Sequence, residues 1–329
     1  MRLSLPDSST QPHGNSAYAA HEIVARGFGP GVEAPLVIVS QGGDAARVAN
    51  AVRATPGVES VQPPRTSTDG TASVTIAYAR TGAQDEATQN LVHHLRDTVV
   101  PDATRGTPLA GKVFVGGPNA ASIDFADNVQ SRLPWLVAVV VGLSLLLLVA
   151  LVRSIVVAAQ AALMNLLSIA AAYGVLTAVV QWGWAGKLLG FPTSMPVATW
   201  VPMIMFPILF GLSMDYEVFL VSRIRENHEL GMPTRQAVAG GVAGTARVIT
   251  AAAAIMMMVF LSVLLGADVA VKQVGLGMGV AILIDATVVR MLLVPALMEL
   301  CGEANWWVPK FLRRRQAQPA VQAPVPTRH

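Results

Sequence analysis

The residues best suited to chemistry are a carboxylate and a phenol, Asp215 and Tyr216, which are adjacent in a long apolar stretch. Twenty-seven uncharged residues precede Asp215, so its side chain is expected at membrane depth, where an ionised Asp costs about 2.5–3.5 kcal/mol on insertion scales. Burial and nearby cations move the proton affinity of a carboxylate in opposite directions, so such a group can bind and release a proton at working pH. Tyr216 can donate to a carboxylate or pass a proton through its hydroxyl. The pair indicates a proton relay; the alternative is a buried Asp that only fixes helix packing.

The neighbours of Asp215 indicate which side of its helix is used. Gly211, four residues earlier on the same face, removes a side chain where another helix or water must approach. Glu217 points about 200° away from Asp215 and is predicted to be an interfacial or packing residue. With the helix predicted to end at residue 221, Asp215 lies about six residues, or some 9 Å, before its inner end.

A second polar pair, Asp285 and Arg290, stands in the last apolar stretch. Five residues apart on an α-helix, the two side chains are not ideally stacked, although a long Arg can reach back or extend to the inner interface. We interpret them as a structural ion pair or anchor, with a part in the proton path as the alternative. Ser222 and Arg223 are predicted at the inner surface, as an anchor and possible supporting polar residues.

Motifs for other chemistry are absent or weak. His93 and His94 lie on a predicted exposed helix without spaced ligand partners, so no metal site is expected. No phosphate-binding loop of the G-x-x-x-x-G-K-[ST] type occurs, so ATP is not the expected energy source. No nucleophile elbow marks a hydrolase. The chain is therefore expected to be neither an enzyme nor a holder of a cofactor.

The elements that carry these residues are predicted membrane helices. Of the 329 residues, 53% are hydrophobic and only 13% charged, against about 25% charged in soluble domains. Uncharged gaps of 20 or more residues can each cross a bilayer. This excludes an ordinary soluble enzyme, a disordered protein and a disulfide-stapled domain. The predicted bundle, residues 133–299, has helices at about 134–152, 155–181, 199–221, 246–266 and 273–298.

Residues 1–132 are predicted to form a separate α/β domain. Helical spacing at 14–28, 44–54 and 85–99 alternates with strand patterns at 35–40, 58–61, 73–78 and 112–115. The order suggests a small split βαβ sandwich, followed by a helix at 118–132 that leads directly into the membrane.

Charge asymmetry predicts the orientation. With residues 1–132 outside, the inner loops and the basic, Pro-rich tail at 300–329 carry ten Lys and Arg residues, whereas the outer loops between the helices carry only Lys187 and Lys272. The positive-inside rule favours this arrangement. The basic residues lie between and after apolar segments, so no nucleic-acid partner is expected. Since the N-terminus shows no signal-peptide pattern, we expect that a helix upstream of residue 1 is missing.

The third predicted helix resembles a family signature. Residues 211–226, with Asp215, Tyr216, Ser222 and Arg223, are similar to the motif of the MMPL family (mycobacterial membrane protein large) of the resistance-nodulation-division (RND) superfamily. The resemblance extends to segments 163–168, 181–184, 245–255 and 274–290. It implies an α-helical integral membrane bundle with an N-terminal extracytoplasmic α+β porter-like domain, in the bacterial cytoplasmic membrane.

Proteins of this family are similar to proton-driven exporters built from two repeated halves, whose relay combines an Asp-Tyr pair from each half. The resemblance therefore implies that this chain is a C-terminal half, that Asp215 and Tyr216 are its relay pair, and that the missing N-terminal half or a second subunit is a partner. The implied substrate is a lipid or another hydrophobic molecule, moved by protons across the bilayer. Alternatives are a non-transporting assembly or regulatory membrane protein, an inactive transporter fragment and, less in keeping with the motif, an assistant of protein export.

Overall fold

The computed structural model describes residues 1–12, 14–42, 45–191 and 194–307. Within these ranges an α/β unit comes first, and five long apolar helical segments form a bundle after it. Each of the five segments is long and apolar enough to cross a membrane. The structure thus contains five long apolar helical segments, as the sequence predicted.

The α/β unit contains a five-stranded antiparallel sheet. The strands of the chain are β1 (Leu3–Ser4), β2 (Leu36–Gln41), β3 (Val58–Val61), β4 (Arg65–Thr66), β5 (Ala72–Ala79), β6 (Val113–Gly116) and β7 (Val197–Ala198). The helices of the unit are α1 (Ser16–Phe28), α2 (Ala45–Arg53), α3 (Glu86–His94) and α4 (Val100–Thr104), with a π-helical turn (Leu95–Val99) between the last two. The sheet order is β3-β5-β2-β6, with β4 paired to β5, which is the order of a split βαβ fold.

One face of the sheet forms the core of this unit. Leu36 and Ile38 of β2 are fully buried, whereas Val37 and Val39 are half-buried. Alternate residues of a strand point to opposite faces, so the two faces of β2 are buried to different extents. Val48 and Val52 of α2, four residues apart on one helix face, pack on the same core.

The bundle helices extend beyond their predicted ends. Their bounds are α5 (Pro118–Val152), α6 (Ile155–Val180), α7 (Trp200–Glu229), α8 (Thr234–Ser262), α9 (Val269–Ile284) and α10 (Val294–Cys301). Helix α7 continues eight residues past the predicted span that ends at residue 221, and α8 begins twelve residues before the predicted span that starts at 246. Apolar runs mark the part of a helix that suits lipid, whereas helical turns continue into polar sequence where side chains support them. In α7 the support comes from ion pairs of Arg223 with Glu226 at 2.8 Å and of Arg225 with Glu229 at 2.7 Å.

A π-helical segment, Asp285–Leu293, joins α9 to α10. In a π-helix the backbone N–H bonds to the carbonyl five residues earlier, as Val294 does to Val289 here. Residues five apart are therefore stacked one turn above each other. The expectation that Asp285 and Arg290 are poorly stacked is wrong because it assumed an α-helix throughout.

The sheet is attached directly to the bundle through Gly117. This glycine has a φ of +105°, and a Cβ at its position would lie 2.7 Å from the carbonyl oxygen of Pro35. Only glycine fits this close approach. Helix α5 begins at the next residue and runs without interruption for 35 residues, so β2, β6 and the first bundle helix form one continuous piece.

The end of the last helix is fixed to the bundle by Asn305. Its Nδ2 donates to the carbonyl of Met298 at 2.6 Å, its Oδ1 accepts from Gln160 Nε2 at 3.1 Å, and its carbonyl accepts from Ser154 Oγ. The bundle therefore continues past residue 300, where a tail was predicted to begin, because a buried asparagine satisfies these groups. The basic residues predicted from 310 onward lie outside the described residues.

Candidate functional site

The α9–α10 segment carries a buried ion pair. Arg290 Nη2 lies 2.7 Å from Asp285 Oδ2, and the two side chains are only 3% and 13% exposed. The π-helical turn places both on one side of the helix, facing α6 and α7. Charges taken out of water need partners that satisfy their remaining hydrogen-bonding groups. The stability of this ion pair therefore depends on the polar groups around it.

Polar side chains from α6 and α7 surround the Asp285 carboxylate. Ser213 Oγ and Ser168 Oγ lie 3.0 Å and 3.2 Å from Asp285 Oδ1. Ser213 Oγ also lies 2.6 Å from Asn165 Oδ1. A hydroxyl has one proton to donate, so Ser213 bonds either Asp285 or Asn165 at any moment. The cluster can therefore change its hydrogen bonds without moving a helix.

Arg290 connects this cluster to Tyr216. Its Nη2 donates to the carbonyl of Ser213 at 2.9 Å, and its guanidinium carbon lies 5.1 Å from the centre of the Tyr216 ring, within range of a cation–π interaction. The Tyr216 hydroxyl lies 3.5 Å from Met256 Sδ. A small void beside these residues, with about 20 Å³ for the centres of water-sized molecules, is large enough for about one water. Tyr216, Asp285 and Arg290 are thus brought together by the fold.

Asp215 lies outside this cluster. It is on a face of α7 that is exposed along its length, which we call the open face: Ile204, Ile208, Gly211, Asp215, Phe219 and Ser222. Successive residues of an α-helix are turned by about 100°, so Asp215 points away from the bundle while Tyr216 points into it. Among the described residues, no hydrogen bond or ion pair is found for the Asp215 carboxylate.

Ser222 and Arg223 do not join the buried cluster. Both are exposed, and Arg223 pairs with Glu226 one turn further along α7. Because α7 continues to Glu229, Asp215 is some 14 residues, or about 21 Å, from the end of its helix rather than the expected 9 Å. The structure therefore places Asp215 near the middle of the helix.

Glu217, predicted from the sequence to be an interfacial or packing residue, lies in the interior of the bundle. It is 2% exposed and lines a small void with Gln160 of α6 and Val294 of α10. The sequence signal was its spacing: Ser213 and Glu217, four residues apart, share one face of α7. Of the other cluster members, Asn165 and Ser168 were not identified as site residues, because single uncharged polar residues in apolar helices are common.

The described part of the chain offers no constellation for a metal ion. No group of three or more His, Cys, Asp or Glu residues there is arranged to hold one. His93, considered above as a ligand, lies 3.5 Å from Asp127 in an exposed pair. The buried cluster of Asp285, Arg290 and Tyr216 consists of groups that bind and orient protons.

Comparison with known proteins places these residues in a family. The family model described as "MMPL family" matches residues 38–327. Over 314 residues the chain is 37% identical to the "Mycolic acid-containing lipids exporter MmpL11" of Mycolicibacterium smegmatis, covering 92% of this chain and 32% of that protein. It is 38% identical over 325 residues to the "Heme uptake protein MmpL11" of Mycobacterium tuberculosis, covering 94% and 33% respectively.

A solved structure shares the fold. It is titled "X-ray crystal structure of a heavy metal efflux pump, crystal form II"; it aligns with a TM-score of 0.50 and 16% sequence identity, covering 85% of this chain and 37% of that one. The chain thus spans about a third of the length of these relatives. The family model begins within β2 and covers the rest of the α/β unit and the bundle with its polar cluster, and on this evidence the chain belongs to the MMPL family and is a multi-pass protein of the cytoplasmic membrane.

Proposed function

We propose that this chain is the C-terminal half of a transporter that uses the proton gradient to export lipids or other hydrophobic molecules. The observation that carries the proposal is the position of Asp215. A carboxylate stands near the middle of a membrane helix, on an exposed face, with no partner among the described residues. An ionised Asp in lipid is costly, so the open face of α7 requires a protein partner.

The missing half is the occupant that best fits the open face. The chain covers about a third of its relatives' length, so a large part of such a transporter lies elsewhere. Gly211, one turn before Asp215, leaves room for another helix backbone to approach. The resemblance supplies the chemistry: the facing helix brings a second Asp-Tyr pair, and the relay forms between the two halves.

The buried cluster gives the relay a route into the bundle. Tyr216 is adjacent to Asp215 in the sequence, and its ring contacts Arg290. A change in the charge of Asp215 therefore alters the electrostatic environment of the Asp285–Arg290 ion pair. One proton moving down about 100 mV supplies about 2.3 kcal/mol, which is sufficient to bias a conformational change.

Two further features complete the proposal. The α/β unit of residues 1–132 is the extracytoplasmic porter-like domain, because the Lys and Arg asymmetry favours that orientation. The substrate class follows from a relative named as an exporter of mycolic acid-containing lipids. Because another relative is named as a heme uptake protein, heme is the first alternative substrate to test.

The test is export by a complete transporter that contains this chain, reconstituted in vesicles with an imposed proton gradient. Asp215→Asn preserves size and hydrogen bonding but cannot ionise, so we expect substrate movement to fall to background while membrane insertion is unchanged. Asp268→Asn is the matched control. Asp268 caps the start of α9 by accepting from the Val271 amide, and Asn serves as well in that position. Unchanged transport by Asp215→Asn would favour a packing or regulatory role.

A further inference from the structure

Glu217 is a buried carboxylate that the relay described so far does not use. Of the glutamates in the described part of the chain, it is the only buried one, and no hydrogen bond or ion pair is found for it there. The void that it lines holds about 10 Å³ for the centres of water-sized molecules, which is at the lower limit for one water. A carboxylate in such a place does not stay ionised without a cation.

The cation that the structure places against the same turn of α7 is Arg290. It contacts Ser213 and Tyr216, which lie four residues and one residue before Glu217, so its guanidinium lies over the turn of α7 that carries Glu217. Asp285 and Arg290 line the neighbouring void, on the Tyr216 side of α7. Among the residues that the structure describes, no other charged residue lines either that void or the one beside Glu217.

Arg290 has capacity for a second carboxylate. All its hydrogen bonds are made by Nη2, whereas Nε and Nη1 are buried without a partner. These two nitrogens carry three of the five guanidinium protons. Buried donors without acceptors are unfavourable. While Nη2 bonds Asp285, Nε and Nη1 therefore remain available to a second carboxylate.

We propose that Glu217 is the proton-carrying partner of Asp285, and that Arg290 exchanges between the two carboxylates during transport. One buried cation and two buried carboxylates are electrically neutral only when one carboxylate holds a proton. With Arg290 paired to Asp285, that proton is on Glu217. When Asp285 takes up a proton from the relay, its O–H bond forms, Arg290 moves to Glu217, and the Glu217 O–H bond breaks.

The exchange moves one proton inward at constant charge. One proton binds at Asp285, and one passes from Glu217 to water on the inner side of the cluster, where Gln160 bonds Asn305 at the end of the bundle. Gln160 Oε1 is buried without a partner beside the same void, so it is an acceptor for the protonated Glu217. The inward direction of proton movement rests on the proposed function. The protonation state of Glu217 does not, because it can be measured in the resting protein.

The experiment is infrared spectroscopy of residues 1–329 in lipid nanodiscs at pH 7, with ¹³C-labelled glutamate. The carbonyl stretch of a protonated carboxyl group, shifted by the label and by D₂O, is expected in the unmodified chain. Glu217→Gln loses this band, whereas Glu226→Gln, an exposed glutamate of the same helix, keeps it. Absence of the band from the unmodified chain overturns the proposal.

Two variants test the exchange itself. In Asp285→Asn, Arg290 has Glu217 as its one remaining carboxylate, so Glu217 ionises and the glutamate band is lost although Glu217 is still present. In Arg290→Gln, made in an Asp215→Asn background so that the unpartnered Asp215 gives no signal, the glutamate band is retained and an unlabelled aspartic acid band appears. Persistence of the glutamate band in Asp285→Asn, in protein whose amide bands show an intact fold, overturns the exchange. Transport is not needed for these readouts, so they can succeed or fail independently of the Asp215→Asn export test.

Discussion

Gly275 provides the most direct test of the packing that positions Asp285. A Cβ added at this residue of α9 would lie 2.7 Å from the backbone oxygen of Phe260 and 2.9 Å from Val263 Cβ. Backbone and a β-branched side chain cannot move aside alone, so Gly275→Ala must push α9 away from the end of α8. Overpacking of this kind costs about 1–3 kcal/mol, and the better helix propensity of Ala returns about 0.5–1 kcal/mol. We expect a net loss of about 1–2 kcal/mol.

The assay is reversible unfolding in mixed micelles, followed by tryptophan fluorescence, with two control variants. Gly174→Ala adds a Cβ with nothing within 4 Å, so it should gain about 0.5–1 kcal/mol from helix propensity. Gly277→Ala meets only the flexible end of Met205, at 2.3 Å from Cε, and should cost less than Gly275→Ala because Met can adopt another rotamer. Equal stability of Gly275→Ala and Gly174→Ala would refute the close packing of α8 on α9.

Three further predictions use other regions. Hydrogen bonds from the Ser67 hydroxyl and from the Thr71 amide and hydroxyl lower the pKa of Asp69 to about 2. Because the folded pKa is depressed, this contribution to stability is present above the unfolded pKa near 3.8 and is lost as the pH falls through about 2. Carboxyl ¹³C NMR can follow the titration, and Asp69→Asn should remove this contribution. With Cys301 replaced by Ser, Thr68→Cys should react with an impermeant thiol reagent from outside intact cells and Gln316→Cys should not; the reverse pattern would invert the proposed orientation. Residues 1–329 alone, in proteoliposomes with a pH gradient, should move neither protons nor a labelled lipid in a coupled way, because Asp215 has no relay partner; robust coupled transport would rule out the half-transporter.

Local sequence predicted the apolar elements well and their ends poorly. The uncharged runs around Asp215 and before Asp285 identify helices because a membrane span needs about 20 apolar residues. The same runs cannot show that α7 continues to Glu229, since that continuation depends on ion pairs within polar sequence. The extra residue per turn in the Asp285–Leu293 segment is also hidden, because no apolar period distinguishes π from α in a segment this short.

The candidate site shows the same division. Tyr216, Asp285 and Arg290 were identified as polar residues in apolar helices, where polar groups are rare and costly. Their mutual contact depends on how α7 packs against the α9–α10 segment, which the sequence does not specify. Adjacency was misleading for Asp215 and Tyr216, since neighbours on a helix point about 100° apart. The position of Glu217 inside the bundle could be known only after the helices were assembled.

The attachment at Gly117 has a mechanical consequence. Helix α5 is about 52 Å long, at 1.5 Å per residue for its 35 residues, and no loop separates it from the sheet. A tilt of about 10° at one end of a rod of this length displaces the other end by about 9 Å. Pro134, inside the helix, removes one backbone hydrogen bond and so sets the point where the rod bends most easily. A tilt of the whole helix about its inner end would therefore move the α/β unit by about 9 Å, whereas the same bend at Pro134, 16 residues from the start of α5, would move it by about 4 Å.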